Sequence, residues 1–149
     1  MTQVELHYDR LGSRLRRVGS VRILYDRFGS RPNRLGNLEL MYDFGGSRLR
    51  SIGPALIGYD KVGSRPRTVG DWVLDYDLLG SRLRRMGPYD VHYDTLGSRV
   101  NMVGPMTIGY DKLGNRPKRV TVPGDGSVLT EDDLVALFLV LKMQRDDRS

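Results

Sequence analysis

Residues 8–20 read YDRLGSRLRRVGS, residues 25–36 answer with YDRFGSRPNRLG, and the phrase returns until Tyr110. Aligned on the tyrosine, the copies begin at Val4, Val21, Leu38, Ala55, Trp72, Tyr89 and Met106, a strict period of 17 residues. A fixed period makes each copy one supersecondary unit and the chain an array of them. Any fold proposed for this sequence has to be built from one small piece, used seven times.

Each copy opens with alternation. Val4, Leu6 and Tyr8 oppose Glu5, His7 and Asp9, and Trp72, Leu74 and Tyr76 oppose Val73, Asp75 and Asp77. Period-two alternation rich in branched and aromatic side chains predicts a half-buried strand. Asp9-Arg10-Leu11-Gly12 follows, as does Asp26–Gly29 in the next copy. Asp first and Gly fourth suit a type I turn entering a left-handed residue. A second strand, Arg14–Val18, then closes at Gly19-Ser20, with Gly53-Pro54 and Gly104-Pro105 in equivalent places. Glycine at the first central position is the type II′ signature. Every connection is therefore a tight hairpin. The expectation is an all-β antiparallel meander of seven hairpins, about 14 strands by this hairpin count.

Seventeen is odd, and a slip of one residue turns a strand over. Each unit must absorb one extra residue, either at the glycine turn or near Arg16-Arg17. The second placement is preferred here. It puts Leu15 and Val18 on the face of Val4, Leu6 and Tyr8, and it lets Asp9 meet Arg14 across the hairpin. On this reading the repeat letters have structural roles: Tyr8 and Tyr25 line the core, Asp9, Asp26, Gly12 and Gly29 build turns, and Arg14 and Arg31 pair with the aspartates.

The repeats occupy residues 4–120 and a turn-rich linker residues 121–129, TVPGDGSVL. Thr130 then reads as an N-cap, with Glu131, Asp132 and Asp133 in the first helical turn. The run Leu134–Leu141 has no polar face, so a helix over 130–145 must be buried on every side, leaving 146–149 as a tail. The meander is expected to curl into a barrel or shell around that helix, which also removes exposed strand edges. At 149 residues the whole reads as one domain.

The phrase Tyr-Asp-x-x-Gly followed by Arg resembles the YD-repeats of the Rhs-type proteins over residues 4–120, and the resemblance implies a β-hairpin shell. These copies are shorter than usual and carry serine between Gly and Arg. A meander barrel filled by a C-terminal helix also looks like the tubby-like and scramblase architecture, a likeness of form without a shared motif.

Chemistry is sparse. With no cysteine, thiolate catalysis and disulfides are excluded. His7 and His92 occupy a slot that other copies fill with Leu24, Met41, Gly58, Asp75 and Gly109, which reads as surface rather than active site. Asp90, His92 and Asp94 alternate onto one face, near Asp75 and Asp77. That set could hold a divalent cation, but a solvated strand face is the expectation. The repeat aspartates are too equivalent for one asymmetric catalytic constellation. Gly124–Gly126 reads as a plain turn. No enzyme activity, metal or cofactor is expected.

The charge is uneven. Residues 130–149 hold five acids and three bases, so the formal +6 of the chain becomes +8 over the first 129 residues. Arg16, Arg17, Arg34, Arg50, Arg67, Arg84, Arg85 and Arg119 form the candidate polyanion-binding set. The expected function is a non-catalytic binding or scaffold module, meeting a protein through a charged outer wall or rim. Nucleic-acid binding through the arginines is the alternative, and small-ligand or lipid binding in the barrel interior the second. A membrane surface is disfavoured as partner, because the apolar helix is internal and its start acidic. A chain without a signal-like start or spanning segment is expected in the cytoplasm. No oligomeric state follows from the pattern.

Overall fold

The computed structural model describes residues 2–9, 14–27, 31–43, 48–60, 65–77, 82–95, 99–111, 116–124 and 129–148, with side chains to Gln144. The first copies give β1 (Thr2–Tyr8), β2 (Leu15–Val18), β3 (Val21–Tyr25), β4 (Pro32–Leu35), β5 (Leu38–Tyr42), β6 (Leu49–Ile52), β7 (Ala55–Tyr59) and β8 (Pro66–Val69). The remainder are β9 (Trp72–Tyr76), β10 (Leu83–Met86), β11 (Tyr89–Tyr93), β12 (Val100–Val103), β13 (Met106–Tyr110) and β14 (Pro117–Val122). One helix, α1 (Glu131–Arg148), follows. Strands are joined in chain order and β14 pairs with β1, so the sheet is a closed antiparallel barrel of 14 strands. The chain divides into two compact units, residues 6–74, and residues 75–149 with residues 1–5.

The glycine turns are as the sequence predicts. In six of them the glycine φ lies between 55° and 59°, and no other residue type among those described has positive φ. Positive φ at the first central residue alone fits the type II′ turn and its twist. The Asp-to-Gly turns, with Gly12 and Gly29, lie outside the described residues. Between the described residues that flank them, the Asp9 N–H donates to the Arg14 carbonyl, and the equivalent bond recurs in all seven hairpins at 2.9–3.0 Å.

The extra residue sits near Arg16-Arg17. His7 pairs with Arg17 but Tyr8 pairs with Leu15, so the register shifts by one there, and the same shift recurs at Leu24/Tyr25, Met41/Tyr42, Gly58/Tyr59, His92/Tyr93 and Gly109/Tyr110. Leu15 and Val18 are buried together while Arg16 is exposed. A bulge achieves this by letting two residues of one strand oppose one of the other.

Within residues 6–74 the inward row is Leu6, Leu15, Val18, Ile23, Leu35, Leu40, Leu49, Ile52, Ile57, Val69 and Leu74, all buried. Within the other unit Leu83, Met86, Val91, Val100, Val103, Ile108 and Val120 play the same part. The tyrosines of the Tyr-Asp phrase do not line this core, unlike Tyr89, which is buried. Tyr25, Tyr42, Tyr59, Tyr93 and Tyr110 are only half-buried. Burying a phenol requires an acceptor, and each hydroxyl finds one on the preceding hairpin, as Tyr25 does on the Leu15 carbonyl at 2.5 Å.

Two boundaries move. β14 runs through Thr121 and Val122, because they pair with Gln3 and Thr2 of β1, so the linker is shorter than its sequence suggests. Gly124 accepts a hydrogen bond from the Thr2 hydroxyl at 2.9 Å, and Asp125–Val128 lie outside the described residues. The helix also continues to Arg148. Thr130 caps it as expected: its hydroxyl accepts from the Asp133 N–H, and Asp133 accepts in return from the Thr130 N–H, both at 3.1 Å. That is a capping box.

Val135 through Leu141 are all buried. Seven successive residues cover every direction around a helix axis, so no face of this segment meets water. The helix is also held at both ends within its own unit. Near its start the Tyr89 hydroxyl donates to Asp133 at 2.7 Å. Near its end Gln144 accepts from the Val100 N–H at 2.7 Å and donates to the Tyr110 hydroxyl at 3.1 Å. Burial, followed by the hydrogen bond to the Asp133 carboxylate, pushes the Tyr89 phenol well above its ordinary range.

Candidate interaction surface on the outer wall

The letters shared by all copies are consumed in building a lattice. Each repeat arginine bonds the aspartate of its own hairpin, from Arg14–Asp9 at 2.5 Å to Arg116–Asp111 at 3.2 Å. The guanidinium also lies over the tyrosine of the next hairpin. Arg14 over Tyr25, Arg31 over Tyr42, Arg48 over Tyr59, Arg82 over Tyr93 and Arg99 over Tyr110 all stand 4.3–4.4 Å from the ring centre. The tyrosine hydroxyl returns to a carbonyl one residue beyond that arginine. Arginine suits the place because its planar fork can pair and stack at once, which an ammonium cannot. The second carboxylate oxygen often has its own partner: Asn33 on Asp26 at 3.1 Å, Asn101 on Asp94 at 3.2 Å, Arg67 on Asp60 at 3.6 Å.

Variation falls on both faces: Leu38, Tyr89 and Met106 share one slot and are buried, whereas the slots of His7 and Arg22 face mainly outward. Register places these side chains in short cross-strand rows, each reading from one hairpin into the next. The rows are His7–Arg17–Arg22, Leu24–Arg34–Glu39, Met41–Ser51–Leu56 and Gly58–Thr68–Val73 in the first unit. The second unit has Arg85–Asp90, His92–Met102–Thr107 and Gly109–Arg119–Glu5. Leu24, Met41, Leu56 and Val73 are exposed, Leu56 by 68% and Val73 by 59%. Single exposed apolar residues are ordinary, but Met41, Leu56 and Val73 flank the small Ser51, Gly58 and Thr68 on adjoining strands.

The candidate arginines fall into two groups. Arg67 and Arg84 approach aspartates at 3.6 and 3.8 Å, and Arg85 bonds Asp90 at 3.1 Å. Arg34 stands opposite Glu39, and Arg119 opposite Glu5. Arg67, Arg84 and Arg85 thus have carboxylate partners within the wall. Arg34 and Arg119 face an acid by register, and the Arg34 guanidinium bonds the Asn37 carbonyl at 3.4 Å. Arg16 and Arg50 are exposed, and Arg17 is half-buried with its Nε lacking a hydrogen-bond partner among the described residues. Arg22 belongs with them although sequence reasoning passes it over. Its meeting with Arg17 follows from the two-residue turn at Gly19-Ser20, which sets Val18 against Val21 and Arg17 against Arg22.

Asp77, Arg82, Arg84, Asp90, His92 and Asp94 line a concavity of about 570 Å³. Its carboxylates are claimed by arginines: Asp77 by Arg82, Asp90 by Arg85, Asp94 by Arg99. Among the described residues no three histidine or carboxylate side chains converge as metal ligands. No protein-family model, curated protein or solved structure matches the chain. Among the described residues no helix is long and apolar enough to cross a membrane.

Proposed function

We propose that the chain is a non-catalytic interaction module, built like a YD-repeat shell and working in the cytoplasm, that meets a protein partner through the variable outward rows. The observation that supports this most is the division of labour within the repeat. Asp, Arg and Tyr recur in every copy as lattice, while the outward slots change freely and include the exposed Leu56 and Val73. A large apolar side chain held rigidly on a sheet face, beside small neighbours, is a suitable anchor for a partner's pocket or helix.

The test is a comparison of two variants equal in stability. Leu56→Ser with Val73→Thr alters the wall, and Lys118→Gln alters an exposed charge elsewhere. Crosslinked partners from the native cell should disappear with the first and persist with the second. An identical set of partners for both variants would defeat the reading.

A further inference from the structure

We infer that the row His7–Arg17–Arg22 is a phosphate-contact site for the backbone of a nucleic-acid duplex. The inference rests on the outer-wall reading and names a ligand for one part of it.

The wall supplies its own control. Where arginine occupies the middle of a row, at Arg34, Arg85 and Arg119, register sets an acid against it, at Glu39, Asp90 and Glu5. At Arg17 the partners are Arg22 on one side and His7 on the other. Like charges directly across a strand pair are destabilising, and this row repeats that cost where the same scaffold shows the remedy. The Arg17 Nε is buried with no acceptor among the described residues.

Geometry and charge together select the ligand. Neighbouring strands lie about 4.8 Å apart, and the register sets His7, Arg17 and Arg22 in one row across three adjacent strands. A carboxylate holds its two oxygens in one plane, and on this wall Asp60 divides them between Arg65 at 2.8 Å and Arg67 at 3.6 Å, so charge must help geometry choose the ligand. A tetrahedral phosphate can accept from two forks at once. Residues 6–74 hold thirteen bases and six acids, a surplus of seven positive charges. A field of that size favours an extended polyanion over a small one. Tyr25, Tyr42 and Tyr59 of this unit already lie under arginines, which favours backbone contact over base stacking.

Arg22→Glu is the decisive variant, because it recreates the Arg34–Glu39 arrangement one hairpin along. Binding of a mixed-sequence 20-base-pair DNA duplex, followed by fluorescence anisotropy across a salt series, should weaken by about tenfold or more. The logarithmic salt slope should shrink by roughly one for each phosphate that is no longer neutralised. The midpoint of thermal unfolding should hold or rise. Arg67→Gln, which removes a balanced arginine, should change affinity less than about twofold on the same reasoning. Equal losses for both variants, or retained affinity in Arg22→Glu, would overturn the proposal. So would poly-glutamate binding as tightly as the duplex with the same dependence on Arg22, which would assign the row to an acidic polypeptide. Loss of partners in Leu56→Ser with Val73→Thr, with duplex binding intact, would separate the two readings.

Discussion

The guanidinium of Arg48 lies 4.3 Å from the centre of the Tyr59 ring, although the two residues belong to successive hairpins. The same guanidinium pairs with Asp43 at 2.6 Å, and the Tyr59 hydroxyl donates to the Leu49 carbonyl beside it. One hairpin thus holds the next through a cation, a ring and a hydroxyl together. Arg48→Lys keeps the charge but loses the planar fork, and a cost of about 0.5–1 kcal/mol follows. Tyr59→Phe loses one neutral hydrogen bond, about 0.5–1.5 kcal/mol. The two should be non-additive in a double-mutant cycle read by denaturant unfolding. Strict additivity would show that stacking and bonding are independent.

Gly53 has φ +57°, and a methyl group on its α-carbon would come within 2.6 Å of Leu38 Cδ2. Gly53→Ala should therefore cost about 1–3 kcal/mol, most of it backbone strain from a left-handed conformation. Trimming Leu38 as well should recover only the smaller, steric share. A scan of thermal midpoints for the single and double variants checks this.

Tyr89 gives the fold an alkaline limit. Its phenol is held protonated by burial and by the Asp133 carboxylate, above its ordinary range. A group whose folded pKa is raised contributes fully below its unfolded value, near 10 for tyrosine. That contribution is lost as pH climbs past it toward the folded value. Stability of the wild type should accordingly fall above about pH 10. Tyr89→Phe should be weaker near neutrality, by about 1.5–3 kcal/mol for a bond to a charged acceptor, and flatter in the alkaline range. A variant with the same alkaline slope as wild type would assign that slope to another group.

Phe138 stands in the middle of the buried segment of α1, 6% exposed. Phe138→Ala should cost about 3–5 kcal/mol through lost transfer energy and the cavity left behind. Deleting residues 130–149 should give an insoluble product or a molten one that binds hydrophobic dyes. A truncated chain with wild-type near-ultraviolet circular dichroism would contradict the part assigned to the helix.

Much of this architecture is legible in the letters. The 17-residue spacing, the glycines before Ser20 or Pro54, and the Asp9–Arg14 pairing each follow from local rules that tertiary context does not override. The bulge near Arg16-Arg17 is legible too, since only that placement buries Leu15 with Val18. Tyr25 is misplaced by the pattern, because period-two alternation assigns a residue to a face but not to a depth. At the strand end the hydroxyl and the ring find better partners in Leu15 and Arg14. The site is harder still. Arg17 and Arg34 hold equivalent places in the repeat, and counting across the glycine turns sets Arg22 against one and Glu39 against the other. The burial of the Arg17 Nε, by contrast, is not written in the letters.

The order of elements has a consequence for synthesis. A ribosome adding about 5–20 residues per second finishes the hairpins some one to four seconds before the greasy stretch of α1 has been polymerised. For that interval the emerging hairpins are without the segment Val135–Leu141, which is buried in the finished fold, and a holding chaperone would meet them in that state.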